Sequence, residues 1–213
     1  MNEQSDRLWN LTEEKRARLL DPAEAEFIDH GFERASMNRI LATAKMSKGQ
    51  AYYYITGKSD LYLAVCTRSF APLFDYADAR TKKLADVPDF WIGVEALAGG
   101  LAEFLAGDEK LSALALGVYG STSATESLAP LAVKLDEILE RIIRLGQASG
   151  EIRTDLPEGL IVAVLKGLTR SIDRWFALNA PSLSPHEMEL ASRGTFEMVR
   201  NLVRPPAEES NDA

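Results

Sequence analysis

The stretch Ser47–Ile55, SKGQAYYYI, gathers a lysine, a glycine, a glutamine and three tyrosines into nine residues. Lysine neutralises a phosphate or reaches a guanine edge, and glutamine pairs with adenine through two hydrogen bonds. Tyrosine hydroxyls donate to phosphate without adding charge. Glycine lets a backbone come close to a surface because no side chain intervenes. Consecutive helical residues stand ~100° apart, so Tyr52, Tyr53 and Tyr54 cannot all enter one core. With Ala51 and Ile55 as the buried edge, Tyr53 falls on the opposite face near Gly49, while Tyr52 and Tyr54 flank the stripe. Lys48, Gly49, Gln50 and Tyr53 then form an outward surface on a helix that begins with free backbone N–H groups. That chemistry suits a DNA duplex.

The elements that must hold this surface read as helices. Leu11 to His30 carries an apolar stripe (Leu20, Ala23, Phe27, Ile28) and ends at Gly31, a C-terminal cap. Asp21-Pro22 interrupts it, either as the start of a second helix or as a kink. Ser36 caps a short helix to about Thr43. Ser47 and Gln50 form a capping box that opens a third helix ending near Ile55. Thr56-Gly57 breaks the chain before a long helix from Lys58 to about Leu84. Two short helices joined by a three-residue turn are a helix-turn-helix, and the second of such a pair enters a major groove. Lys58 and the Ser36 hydroxyl stand at starts of neighbouring helices, where the dipole favours phosphate.

Beyond this point the sequence reads as a helical bundle. Helices are expected over 90–106, 108–119, 130–148, 157–179 and 185–203, with GSTSATES (120–127) as a loop and PPAEESNDA (205–213) as a disordered tail. In the last helix Met188, Ala191, Thr195, Met198 and Leu202 recur at spacings of three and four, a helix-pairing seam. The preceding helix is broadly apolar, with Leu168 and Ile172 in its stripe and Gly167 allowing close approach.

Composition bounds the function. Of 213 residues, 46% are hydrophobic and 26% charged, ordinary for a packed globular chain. No apolar run approaches the ~20 residues of a membrane span, and MNEQSDRLWN does not resemble a signal peptide. Cys66 is the single cysteine, so an internal disulfide is impossible and a reducing cytoplasm is the expected compartment. The net charge is −8, yet residues 1–68 carry ten basic and ten acidic side chains. Within 33–68, Arg34, Arg39, Lys45, Lys48, Lys58 and Arg68 face only Glu33 and Asp60. A locally positive segment therefore sits on an acidic body. The two histidines, His30 and His186, lie near neither Cys66 nor a paired acid. No phosphate loop, nucleophile elbow or metal-ligand spacing occurs, so no catalytic residue, metal or cofactor is expected.

FIDHGFERASMNRILATA (27–44) and SKGQAYYYITGKSDLYLAV (47–65) together resemble the DNA-binding domain of the TetR family of bacterial transcriptional regulators. Gly31, Phe32, Ser36, Ile40, Ser47, Lys48, Gly49, Tyr52, Tyr54, Lys58, Asp60 and Leu61 match its pattern. Pro22, Lys45, Ala51 and Ile55 depart from it, and Lys45 stands where a left-handed glycine is common.

The resemblance implies an all-α chain with a three-helix DNA-binding domain at 1–57. A helical effector-binding and dimerisation domain would follow at 58–204, then a tail at 205–213. It implies DNA contacts from Ser36, Lys48, Gly49, Gln50, Tyr52, Tyr53, Tyr54 and Lys58, with Asn38 and Arg39 within reach on the supporting helix. It implies a homodimer on a near-palindromic operator, with Leu168, Ile172, Met188, Ala191, Thr195, Met198 and Leu202 as interface candidates.

It implies, further, a small-molecule pocket for a largely apolar effector. Trp91, Phe104, Leu114, Tyr119, Trp175 and Phe176 are the candidate lining, and Gly99-Gly100 either leaves room or marks a tight helix crossing. The expected function is a ligand-responsive regulator, most simply a repressor, in a bacterial cytoplasm. The alternatives are an all-helical small-molecule-binding protein or enzyme with a vestigial helix-turn-helix, or a helix-turn-helix scaffold for other proteins.

Overall fold

The computed structural model describes residues 3–206. The chain is all helical. Its elements are α1 (Glu3–Trp9), α2 (Glu13–Arg34), α3 (Met37–Ala44), α4 (Lys48–Tyr52), α5 (Lys58–Lys82), α6 (Phe90–Ala106), α7 (Glu109–Val118), α8 (Thr122–Ser127), α9 (Ala129–Ala148), α10 (Glu158–Asn179) and α11 (Pro185–Val203). Single 3₁₀ turns follow α5 at Leu84–Asp86 and α10 at Ala180–Ser182. Two compact units result, one of residues up to 73 with 105–133, the other of 74–104 with 134 onward. The tail expected over 205–213 falls mostly outside the described residues.

In the first unit α2 carries the core. Leu19, Leu20, Ala23 and Phe27 are buried, as are Ile40, Leu41 and Ala44 of α3 and Leu61, Val65 and Cys66 of α5. The Tyr62 ring packs 4.8 Å from Phe27 and 5.1 Å from Phe32, both edge-on or tilted. Burial raises the Tyr62 phenol well above its ordinary pKa and pushes the Cys66 thiol up to about 12, so both stay neutral. Helices α7 and α8 complete the unit against α2.

No second helix starts at Pro22. Proline removes one hydrogen bond, yet α2 runs through it. The helix is held on both sides of the proline, because Asp21 and Glu24 pair with Arg68, and Ser69 Oγ donates to Glu24. Segment 120–127 likewise is not simply a loop. Ser121 Oγ accepts from Ala124 N at 3.0 Å and Ala124 is fully buried, which makes one turn of helix out of residues that alone favour turns. Helix α1 was not anticipated either.

Gly31 breaks the end of α2 at φ 67°, ψ 170°, a region open only to glycine. An added Cβ would meet nothing within 4 Å, so any cost there is backbone strain and not crowding. Gly31→Ala is therefore expected to lower unfolding stability by about 1–3 kcal/mol, read as a shifted urea midpoint at unchanged slope. An unchanged midpoint would show that the turn adopts another geometry.

The second unit is built on Phe90, Trp91, Ile143, Ile152, Ile161, Leu165 and Val203, with Phe196 edge-on to Trp91 at 5.9 Å. Gly146 marks a close crossing, since a Cβ there would stand 2.6 Å from Ile152 and 2.7 Å from Phe90. An added Cβ at Gly100 would overlap the Tyr76 hydroxyl at 1.9 Å, so the missing side chain makes room for the Tyr76 ring, whereas nothing approaches Gly99. Gly146→Ala is expected to cost about 1–3 kcal/mol by overpacking, measured by thermal unfolding. A wild-type melting curve would mean that Ile152 and Phe90 yield freely.

Candidate nucleic-acid interface

The candidate surface is assembled locally by two caps. Ser36 Oγ accepts from Arg39 N at 3.4 Å and starts α3. Ser47 Oγ accepts from Gln50 N at 3.2 Å, and Gln50 Oε1 accepts from Ser47 N at 2.9 Å, the reciprocal capping box. Between them Lys45 turns the chain at φ 52°, ψ 44°, left-handed as its place in the turn requires. Helix α4 is shorter than the expected 47–55, ending at Tyr52. Ala51 and Ile55 are fully buried beneath it, as their spacing requires.

What remains outside is Lys48, Gly49, Gln50, Tyr52 and Tyr53. Tyr52 is 41% exposed and Tyr53 54%. Tyr54 is half-buried, its ring edge-on to Tyr53 at 5.1 Å. A Cβ added at Gly49 would meet no atom within 4 Å, so the glycine does not serve packing.

Three other candidates are engaged with the protein itself. The Lys58 ammonium donates to the Glu33 carbonyl at 3.0 Å and the Ala35 carbonyl at 3.5 Å, and lies 4.8 Å from the Phe32 ring centre. It neutralises the C-terminal end of α2. Arg39 forks onto Glu26 through Nε at 3.0 and 3.1 Å, and its Nη2 donates to the Arg34 carbonyl at 3.2 Å. Hydrogen bonds from Arg39 hold the Glu26 carboxyl below the usual carboxylate range, against the opposing effect of burial. Gln50 Oε1 is committed to the capping box, which leaves its amide N–H₂ as the outward donor and disfavours bidentate adenine pairing. Asn38 is exposed, and Ser36 is half-buried at its cap.

Two residues near this surface carried no sequence signal. Gln4 Nε2 donates to the Tyr52 carbonyl at 3.2 Å, and the Arg7 guanidinium lies 4.5 Å from the Tyr53 ring centre. They are more than forty residues from their partners along the chain, so no local pattern announces them.

The other predicted site residues are distributed as follows. Of the pocket candidates, Leu114 and Tyr119 belong to the first unit and Trp91, Phe104, Trp175 and Phe176 to the second. Trp91 and Leu114 are buried, but Trp175 is 45% exposed. It stands with Leu160, Val164 and Leu178 on an outward stripe of α10, turned away from the Ile161–Leu165 edge. A groove of about 150 Å³ is lined by Arg153, Leu156, Leu160, Ile161, Val164, Leu165, Leu202 and Val203, none of them a pocket candidate. Among the interface candidates Met198 and Leu202 are exposed, and Leu168, Ile172, Met188, Ala191 and Thr195 are half-buried. Ile172 points nearly along the core edge of α10. Among the described residues no single helix is long and apolar enough to cross a membrane.

A capped helix-turn-helix with an exposed Lys-Gly-Tyr face, followed by a helical bundle, defines a class of DNA-binding regulatory folds. Residues 19–65 match the model of the bacterial regulatory proteins, tetR family. That match is confined to the helix-turn-helix segment of the chain. Solved structures share the fold across nearly the whole chain. A protein from Mesorhizobium loti assigned to the TetR family is 22% identical, with 91% of this chain and all of that one covered at a TM-score of 0.65. FadR from Bacillus subtilis, solved with stearoyl-CoA, is 16% identical over 88% and 98% of the two chains, with a TM-score of 0.67. SmeT, the repressor of the Stenotrophomonas maltophilia multidrug efflux pump SmeDEF, is 18% identical over 92% of each chain, again at 0.67. No curated protein sequence matches.

Proposed function

We propose that the protein is a homodimeric, ligand-responsive transcriptional repressor that reads a palindromic operator through the segment 47–55. The observation that carries this reading is the outward face of α4, where Lys48, Gly49, Tyr52 and Tyr53 are exposed although Ala51 and Ile55 hold the helix in the core. Lys48 supplies the charge and Gly49 the close approach. Tyr52 and Tyr53 supply uncharged donors to phosphate. Ser36, Asn38, Gln50 and Tyr54 border this face. Lys58 and Arg39 act chiefly by bracing α2 against α3 and α5. The division into a DNA-binding segment 1–57 and an effector and dimerisation segment 58–204 belongs to the same proposal.

Dimerisation is supported by exposed apolar side chains on α10 and α11: Leu160, Val164, Trp175, Leu178, Leu190, Met198 and Leu202. Leu168, Met188, Ala191 and Thr195 border this face. Two half-sites need two reading helices about 34 Å apart, or a multiple of that, which a two-fold dimer supplies.

The effector is proposed to be a largely apolar small molecule held in the helical bundle, with Trp91, Phe104 and Phe176 as lining candidates in the second unit. Support comes from the fold shared with a protein solved bound to stearoyl-CoA and with an efflux-pump repressor. Binding would shift the dimer away from the operator-matching geometry, and DNA would weaken effector binding by the same factor. Operator DNA in a bacterial cytoplasm is the setting this requires.

Selection of bound sequences from random duplex DNA tests the reading. A two-fold-symmetric site is expected, with affinity falling steeply as salt rises. Folded protein that enriches no sequence would overturn it.

A further inference from the structure

Helix α1 lies against the C-terminal end of α4 and touches both exposed tyrosines. Leu8, at 1% exposure, plants it in the first unit's core. Arg16 of α2 donates to the Trp9 carbonyl at 3.1 Å and lies 5.0 Å from the Trp9 ring centre, which ties down the far end. At the near end Gln4 bonds the Tyr52 carbonyl, and Arg7 covers the Tyr53 ring. Tyr53 is the residue just past the last turn of α4, and its side chain is largely exposed. Its ring is contacted by the Arg7 guanidinium, 4.5 Å from the ring centre, and by the edge-on Tyr54 ring at 5.1 Å.

We propose that Arg7 is a positioning residue for DNA reading, fixing the Tyr53 ring in the orientation in which its phenol meets the duplex. The inference rests on the proposed function, and it makes α1 part of the reading head. A flat, delocalised cation suits this task, because it stacks on a ring face where an ammonium only sits above it. A direct phosphate contact by Arg7 is the competing role. It is disfavoured because Arg7 is half-buried with its guanidinium over the Tyr53 ring, and the adjacent exposed Asp6 would repel a phosphate. A tyrosine free to turn about its side-chain bonds must be ordered when DNA binds, whereas one already clamped has less entropy to lose.

The test uses the full chain and the duplex enriched by the wild-type protein. Affinity is measured by fluorescence anisotropy over a range of salt for wild type, Arg7→Ala, Arg7→Lys, Tyr53→Ala and the double variant Arg7→Ala/Tyr53→Ala. Arg7→Ala is expected to weaken binding about two- to fivefold, the size of an exposed cation–π contact, with an unchanged salt slope. The double variant should bind no more weakly than Tyr53→Ala alone, because Arg7 acts through that ring. Repeating the selection with Arg7→Ala should blur the same base positions that Tyr53→Ala blurs, an effect that mere loss of stability would not produce. Should alanine loosen α1, Arg7→Lys decides: an intermediate loss at wild-type slope supports the proposal, and wild-type binding overturns it.

Losses that multiply in the double variant would overturn the proposal, as would a salt slope smaller by about one, the mark of a lost phosphate contact. Wild-type affinity of Arg7→Ala would do the same. Failure of the wild-type protein to select any duplex would remove the proposed function and this inference with it. That outcome is visible before any variant is compared.

Discussion

Gly49→Leu is expected to leave the protein folded and to weaken operator binding by at least about 100-fold, or about 2.8 kcal/mol. The two halves of this expectation have separate physical origins. A Cβ at position 49 meets no atom of the protein within 4 Å, so the side chain has nothing to displace on folding. Leucine is also the better helix former by about 0.8 kcal/mol, so the urea midpoint should hold or rise slightly. At the duplex the same substitution keeps the backbone of the first turn of α4 away from the groove. Lys48 and the flanking tyrosines then lose contact together. Gly49→Ala should fall between, since one methyl displaces less. Gly31→Ala inverts the pattern, losing stability while its surroundings stay empty. Undiminished affinity in folded Gly49→Leu would show that some other face meets the DNA.

Val164→Glu is expected to convert a dimer to a monomer and to abolish high-affinity operator binding. Val164 is 45% exposed and borders the groove formed with Leu156, Leu160 and Leu202. In a two-fold interface the patch meets its own copy, so a single substitution places two like charges near the symmetry axis. Breaking the apolar contact with an unpaired buried charge costs about 3–5 kcal/mol, which lowers the association constant at least about 100-fold. Sedimentation velocity reads the mass directly. The monomer should remain helical, because Val164 lies off the Ile161–Leu165 core edge. Affinity for an isolated half-site should survive at the weak level of a single reading helix. Leu202→Glu on α11 should behave alike if both helices share the interface. A Val164→Glu protein that stays dimeric would move the interface elsewhere.

Much of this was legible in the linear sequence, because the forces involved are local. Ser36, Ser47 and Gln50 cap their own helices within three residues, and Ala51 and Ile55 share a face through helical periodicity alone. Those short-range rules are sufficient to predict a short capped helix with Tyr53 outward. They also predicted the bounds of α6 and α11, where apolar periodicity and flanking caps agree.

Local rules failed where a distant residue decided. Pro22 stays helical because Arg68 and Ser69, over forty residues away, hold Asp21 and Glu24. Lys58 and Arg39 look like phosphate ligands by charge and position, yet carbonyls of α2 and the Glu26 carboxyl engage them. Trp175 reads as a pocket aromatic by type, but helix rotation puts it on the outward stripe. Arg7 and Gln4 meet Tyr53 and Tyr52 only because α1 packs there. Sequence by itself determined most of the long helices, the caps of α3 and α4 and the face that presents Lys48, Gly49 and the tyrosines, since each depends on neighbours within a turn or two. Which cations are bound internally, and which side chain clamps Tyr53, only tertiary packing decided, because those partners meet through contacts that no local periodicity encodes.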